Sequence, residues 1–337
     1  MSVTESLRFV VMEGLLADYP AKVRSALRCL GVNANVETFP HLYSRELTAE
    51  RLARIRDLLR RQTKDELLFF FPGALELFLD EPDMSFHCSA YRSWFDPERM
   101  TVIPHPWSSV RPGPDRNSLR WRTKPPCNLG FMGSTYSGSR GAHMAAGLPA
   151  FARRLLIEGR IRQNAGLVTW LYERKIPFHY LPTFARFEAL EAIAVASRQA
   201  GTSLEVVDTA GFDGSETSTR AFADHLLRTT YVLCPRGCEN YSFRVYEALR
   251  FGRVPVIIDT DMVLPPGIDW QSIALIVPGD APQDIHARIV DDYARLDETE
   301  FLERQMAAFE TSDYLDGETW LARSIGDALA RIRPKAG

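Results

Sequence analysis

Short apolar runs alternate with amphipathic stretches along most of the chain. Leu7–Met12, Val32–Phe39, Glu66–Phe71, Met84–Cys88 and Met100–Ile103 have the length and β-branched or aromatic content of buried strands. Pro20–Leu30 repeats its apolar residues at helical spacing, with Pro20 at a tolerated first-turn position and Gly31 as the stop. Thr48–Gln62 does the same and puts Arg51, Arg54, Arg56, Arg60 and Arg61 on its outer face. Such a face is ordinarily a solvated one; the alternative is contact with an anionic acceptor or a membrane surface. This β-α-β rhythm up to about residue 105 predicts a Rossmann-like parallel sheet.

Residues 104–126, rich in Pro and Arg, break the rhythm and read as an interdomain linker. The predicted division is a first domain over 1–120 and a second over 121–337. Asn128–Met132 opens a second α/β set, and Gly133-Ser134 turns that strand into a loop. Helices are predicted within Ala142–Arg162 and over Phe184–Ala200 and Thr217–Arg228, with a strand at Leu204–Val207. Next comes strand Tyr231–Leu233, a loop punctuated by Pro235, Gly237 and Asn240, and helix Phe243–Phe251 capped by Ser242. Gly252 stands where a helix stop belongs, and Val254–Ile258 is a fully apolar strand. A last strand is predicted at Ile273–Val277, and Pro282–Ile332 is helical in three segments broken near Leu296 and Ser312. Two such lobes leave a cleft between them, a preferred place for a ligand.

Composition narrows the class. A chain of 337 residues exceeds what one core usually fills, and its 45% hydrophobic and 25% charged content is that of a water-soluble globular protein. A net charge of -3 with only short basic runs argues against nucleic acid as a partner. No apolar run is long enough to span a bilayer, and MSVTESLRFVVMEG lacks the basic start and apolar core of a signal peptide. Five cysteines without paired metal spacing suit reduced thiols in a cytosolic protein.

The chemistry concentrates in residues 231–258. Arg236 lies in the loop after a strand, where open α/β sheets bind ligands, and Arg244 and Glu247 share one helix face. Arginines beside a helix N-terminus suit a phosphate, although Arg244 and Glu247 equally make a local ion pair. Gly237 lets backbone approach a ligand or simply makes a turn. Ser242 is placed to bond a phosphate or to cap the helix, and Tyr241 to stack on a ligand or to pack in the core.

The same region resembles the exostosin-like glycosyltransferases. The residues that carry the resemblance are Leu233-Cys234-Pro235-Arg236-Gly237, Ser242-Phe243-Arg244-Val245-Tyr246-Glu247-Ala248-Leu249, Gly252 through Ile258, Asp259, Leu264-Pro265 and Asp269-Trp270. Val102-Ile103-Pro104 and Phe131-Met132-Gly133 with Arg140 resemble upstream family motifs, so the resemblance runs over roughly residues 100–275. Residues 1–99 carry no matching motif.

The resemblance implies a GT-B fold: two Rossmann-like domains facing across a cleft, with a helical C-terminal tail. It implies an inverting glycosyltransferase that needs no metal or other cofactor, with the nucleotide-sugar in the second domain and a glycan or glycolipid acceptor at the first. Arg236 and Arg244 are then candidates for the donor diphosphate, Glu247 for the ribose hydroxyls, and Gly237, Tyr241 and Ser242 for the donor loop. Gly133, Ser134 and Arg140 are candidates for the facing loop. A UDP-sugar is the expected donor. The alternatives are a GDP-fucose-type enzyme, whose Thr-Glu-Lys hallmark is replaced here by Phe243-Arg244-Val245, or a non-catalytic nucleotide- or glycan-binding protein. A catalytic base is expected from the first domain, Glu13 after the first strand or, more weakly, His105, with His41 and His87 as competitors. Asp259-Thr260-Asp261 looks like the metal-binding triplet of the other large glycosyltransferase fold, but it sits in the wrong kind of domain for that role. The absence of anchors and disulfides points to a bacterial, cytoplasmic member, with peripheral contact at the inner face of the membrane left open along with oligomeric state.

Overall fold

The computed structural model describes residues 8–12, 19–39, 67–71, 84–104, 115–160, 167, 170–171, 174, 178–209, 211, 215–316 and 318–332. The predicted basic helix at 48–62, and with it His41, lies outside them, as do Glu13 and His105.

Each lobe is built on a five-stranded sheet whose strand pairs all run parallel. The first sheet contains β1 (Arg8–Met12), β2 (Asn35–Phe39), β3 (Leu67–Phe71), β4 (Met84–His87) and β5 (Met100–Val102), in the order β2-β1-β3-β4-β5. The second contains β6 (Asn128–Gly133), β7 (Ser203–Asp208), β8 (Tyr231–Cys234), β9 (Val254–Asp259) and β10 (Leu275–Pro278), in the order β10-β9-β8-β6-β7. These are two Rossmann-like lobes, as expected of a GT-B arrangement. The helices are α1 (Tyr19–Cys29), α2 (Arg116–Leu119), α3 (Arg140–Ala146), α4 (Ala150–Ile157), α5 (Phe184–Ala200), α6 (Glu216–Arg228), α7 (Phe243–Arg250), α8 (Trp270–Ile273), α9 (Ile285–Arg295), α10 (Glu298–Asp316) and α11 (Glu318–Ile332).

The period-two pattern of the central strands covers both faces of the second sheet. Tyr231 and Leu233 face one core with Val254, Val256 and Ile258, while Val232, Cys234 and Ile257 face the other. The first core takes Ile193 from α5 and Ile289 from α9; the second takes Val245 from α7 and Phe309 from α10. In the first lobe, Phe9, Val11, Val23 and Phe86 pack against Trp320, Ile325, Ala328 and Leu329. Helix α11 therefore belongs by packing to the first lobe, although chain order puts it after the second. The end of the chain straps the two lobes together.

The stretch read as helical in part, 142–162, holds two helices, α3 and α4, separated at Gly147–Pro149, where Pro149 disfavours helix in the residue before it. Two predicted boundaries move. The break expected at Ser312 is absent: Ser312 is buried inside α10, which runs on to Asp316. Ile273 ends a one-turn helix, and the strand after it starts at Leu275.

A buried charge network fixes α9 and α10 to β8. The Asp292 carboxylate accepts from Tyr231 Oη at 2.8 Å and from Arg304 Nη1 and Nη2 at 2.6 and 3.3 Å. Burial by itself raises the Asp292 carboxyl, but the hydrogen bonds and charge of Arg304 outweigh it and hold it below the usual carboxylate range. Arg304 is 7% exposed, so Asp292→Ala leaves a buried cation without its carboxylate. A loss of about 3–5 kcal/mol in urea unfolding is expected. A loss below about 1 kcal/mol would mean that solvent reaches the pair and that it contributes little.

The lobes meet along one seam. Segment 89–93 runs beside 260–263, with a bridge between Tyr91 and Met262. Arg92 N donates to Asp261 O at 2.9 Å, and Val263 N donates to Ala90 O at 3.3 Å. Asn240 is buried and satisfied on three sides: its N takes Ser89 Oγ at 2.9 Å, its Nδ2 takes Ala90 O at 3.1 Å, and its Oδ1 accepts from Thr260 Oγ1 at 2.8 Å.

Candidate functional site

In the second sheet the chain goes out from β6 to β7 on one side and to β8 on the other. The crevice outside the carboxyl ends of β6 and β8 is therefore the topological switch point. The two strands pair only at Leu129↔Tyr231 and Gly130↔Val232, and beyond Gly130 they part. Arg244, in the first turn of α7, fills the gap. Its Nε donates to Met132 O at 2.8 Å, a carbonyl that the ladder to β8 leaves free, and its guanidinium lies 4.5 Å from the Phe222 ring centre. Its Nη1 donates to Glu247 Oε2 at 2.6 Å. The Glu247 side chain is 1% exposed and that of Arg244 is 22% exposed. Among the described residues nothing accepts from Arg244 Nη2. That nitrogen would sit 2.9 Å from a Cβ at position 133, so Gly133 is a glycine because the guanidinium occupies the space.

A second arginine that sequence reasoning passed over completes the crevice. Arg186, in the first turn of α5, donates from Nε to Arg236 O at 2.7 Å, from Nη1 to Ser134 O at 2.9 Å and from Nη2 to Pro235 O at 3.2 Å. It thereby pins the loop after β6 to the loop after β8. Burial, reinforced by the nearby Arg244 and Arg236 charges, lowers its guanidinium to about 10. A signal for it was present in the sequence. Phe184-Ala185-Arg186-Phe187 puts a cation in the first turn of a helix, where the dipole disfavours it. Such local conflicts collect at functional sites. Arg244 stands in the same unfavourable position on α7.

Other predicted residues divide between the crevice and the scaffold. Arg236 does not face the crevice. It is 1% exposed, and Nε, Nη1 and Nη2 all donate: to Gly237 O at 3.4 Å, to Ile157 O at 3.2 Å, and to Tyr91 Oη and Cys238 O at 2.8 and 3.2 Å. The guanidinium that was a candidate for the diphosphate is a strut between the lobes. Glu247 is closed off from solvent, and in this structure it holds Arg244. Gly237 sits with Arg186 Nη2 at 3.4 Å from where its Cβ would be, an ordinary contact. Tyr241 packs edge-on against Phe243 with ring centres 5.1 Å apart and borders the first-lobe core. Ser242 is the N-cap residue of α7 and buried, but its side chain makes no cap bond. Ser134 contributes its carbonyl to Arg186. Arg140 is exposed at the start of α3 and makes no hydrogen bond or ion pair among the described residues.

The loop after β6 is braced from β7. Asp208 accepts from Thr135 N at 3.3 Å, from Thr135 Oγ1, and from Ser137 Oγ at 3.3 Å. Asp259 and Asp261, the metal-like pair, are occupied by the other lobe. Arg92 Nη2 donates to Asp259 Oδ2 at 2.9 Å, and Ser93 N donates to Asp261 Oδ2 at 3.1 Å. No cluster of three or more potential metal ligands occurs among the described residues. His87, a competitor for the base, is buried at the end of β4, shares a hydrogen bond of 2.7 Å with Ser85 Oγ, and is lowered to about 4 by burial. It is neutral at physiological pH but shielded from any acceptor.

Residues 197–291, which contain the crevice helix α7 and strands β7 to β10, match the family described as the exostosin GT47 domain. A relative named "Probable glucuronosyltransferase GUT1" of Oryza sativa subsp. japonica is 40% identical over 75 residues, 21% of this chain and 18% of the relative. An "Exostosin-1 homolog" of Caenorhabditis elegans is 40% identical over 67 residues, 19% of this chain and 18% of the relative. The matched stretch thus spans about a fifth of either curated relative. A glycosyltransferase structure from Rickettsia africae aligns over 97% of this chain and 98% of its own at 10% identity, with a TM-score of 0.43. The exostosin GT47 stretch places Arg244, Glu247, Arg236 and Gly237 inside the matched region. Arg186 and the loop after β6 lie outside it and are joined to it only by folding.

Proposed function

We propose that this chain is an inverting glycosyltransferase that moves a sugar from a nucleoside diphosphate, a UDP-sugar, to a glycan or glycolipid hydroxyl without a metal. One observation carries the reading. Arg186 and Arg244 stand against the helix dipole at the switch point of the second sheet, and Arg244 Nη2 is unengaged there among the described residues. Two cations and two helix N-termini, α5 and α7, are a fitting counterpart to a diphosphate. The exostosin GT47 match and the relatives' names support sugar transfer as the reaction.

In that reaction the acceptor oxygen gives its proton to a base and attacks the anomeric carbon. The bond to the diphosphate breaks, and the leaving group departs with the electron pair and its negative charge. Arg244 holds that charge directly, with Glu247 fixing its orientation and Arg186 fixing the two loops around it. The base is sought in the first lobe, where Glu13 directly follows β1 and His105 lies three residues after β5.

Thermal unfolding of the full chain with UDP, GDP and their sugars tests the proposal. UDP and UDP-sugars are expected to raise Tm, with no dependence on EDTA or manganese. A stronger shift with GDP would assign the donor to the guanine series. No shift with any compound would sink the reading, and a strict manganese requirement for turnover would remove the metal-free part of it.

A further inference from the structure

The second lobe carries an apolar face that its own core leaves uncovered. On α3 and α4, Ala142, Ala145 and Leu156 point inward against Phe184 and Ala185. Met144 and Phe151 point the other way and are 66% and 71% exposed, joined by the exposed Leu148 and Leu155. Phe151 and Leu155, four residues apart, share the outer face of α4, so α4 is apolar on both sides, and the exposed Met144 of α3 and Leu148 of the turn precede it in the chain. A helix that lies on a water-facing surface is polar on its outer side. Exposed apolar side chains of this size, four of them within twelve residues of chain, mark a binding surface. Further along, Trp170 is exposed as well, with Arg174 4.2 Å above its ring.

Positive charges outnumber negative ones around this face. Arg153, Arg154 and Arg160 share two carboxylates, Glu188 and Glu158, and Arg140 and Arg174 add positive charge without a carboxylate partner among the described residues. The sequence from 140 to 175 carries seven Lys and Arg residues against two Glu and no Asp.

We propose that this face seats the protein on an anionic lipid bilayer. Phe151, Met144, Leu148 and Leu155 would enter the boundary between headgroups and acyl chains, and the arginines would meet the lipid phosphates. A second copy of the chain is a poorer occupant, because a two-fold contact would bring this positive patch against itself. Helix α3 begins directly after the loop that Asp208 braces, and α4 ends at Ile157, whose carbonyl accepts from Arg236 at the seam between the lobes. Membrane docking does not depend on the proposed reaction and is read without it.

Sedimentation of the full chain with lipid vesicles tests this. The protein is expected to bind phosphatidylcholine vesicles containing about a third phosphatidylglycerol and to ignore pure phosphatidylcholine, with binding lost at high salt. Phe151→Ser is expected to weaken partition about tenfold, and Arg154→Gln about fivefold. Both side chains are exposed, so Tm and its shift by UDP are expected to stay as in the wild type. Three results would overturn the proposal: no partition into the anionic vesicles, equal partition of Phe151→Ser, or a concentration-dependent dimer that Phe151→Ser dissolves. The last would give the face to a second copy.

Discussion

Arg244→Ala is expected to abolish the rise in Tm with UDP and to weaken nucleotide binding by about a hundredfold. The size follows from the contacts. A charge-assisted hydrogen bond contributes about 1.5–3 kcal/mol, and the unengaged Nη2 together with the guanidinium charge amounts to one or two of these. The same change takes the Arg244 cation away from the Glu247 carboxylate, buried at 1% exposure, so a stability loss of about 3–5 kcal/mol accompanies it. Two further variants separate the effects. Arg244→Lys keeps a charge but loses the fork that reaches Met132 O, Glu247 and the crevice together, and it should restore stability more than binding. Glu247→Gln keeps the shape of the carboxylate and loosens the hold on Arg244, so it should weaken binding by less than Arg244→Ala. If Arg244→Ala binds UDP as the wild type does, the crevice is not the diphosphate site.

Arg236→Ala is expected to destabilise the protein by about 3–5 kcal/mol in urea unfolding. The reason is different. Arg236 is buried and ends on Tyr91 Oη, Ile157 O, Cys238 O and Gly237 O, so its removal strips four acceptors at the seam between the lobes. Tyr91→Phe removes only the phenol oxygen, leaves one guanidinium hydrogen unsatisfied and should cost about 1–3 kcal/mol. The Tyr91 ring must stay, because Gly159 packs against its face, with ring carbons 2.8 to 3.0 Å from where a Cβ would be. An Arg236→Ala protein of wild-type stability that had lost UDP binding would return this residue to the ligand and refute the strut.

Much of the architecture was readable from periodicity. The buried parallel strands are continuous apolar runs such as Val254–Ile258, and the helices between them keep a 3.6-residue apolar face, so both lobes and the ten strands among the described residues follow from local pattern. The boundaries that moved did so where local pattern is weak. Ser312 is a poor helix former held inside α10 by its buried surroundings.

Site residues divided along a similar line. Arg244 and Glu247 were legible because their spacing and helix-start position are local properties. Arg236 was less legible, because a loop arginine after a strand points to either side of that loop equally well in sequence. Which side it takes depends on Tyr91 and Ile157, 145 and 79 residues away. Arg186 was missed because it lies 58 residues before Arg244 and is joined to the crevice only through the carbonyls of Ser134, Pro235 and Arg236.

By itself, then, the sequence determined two parallel α/β lobes, the switch-point helix and the kind of charge placed there. These depend on hydrophobic period and helix-terminus chemistry, which act over a few residues. Tertiary structure alone decided which arginine faces the crevice and which welds the lobes, that α11 closes back on the first sheet, and that α3 and α4 leave an apolar face uncovered. Each of those depends on which distant surface competes for a side chain, and no local pattern carries that information.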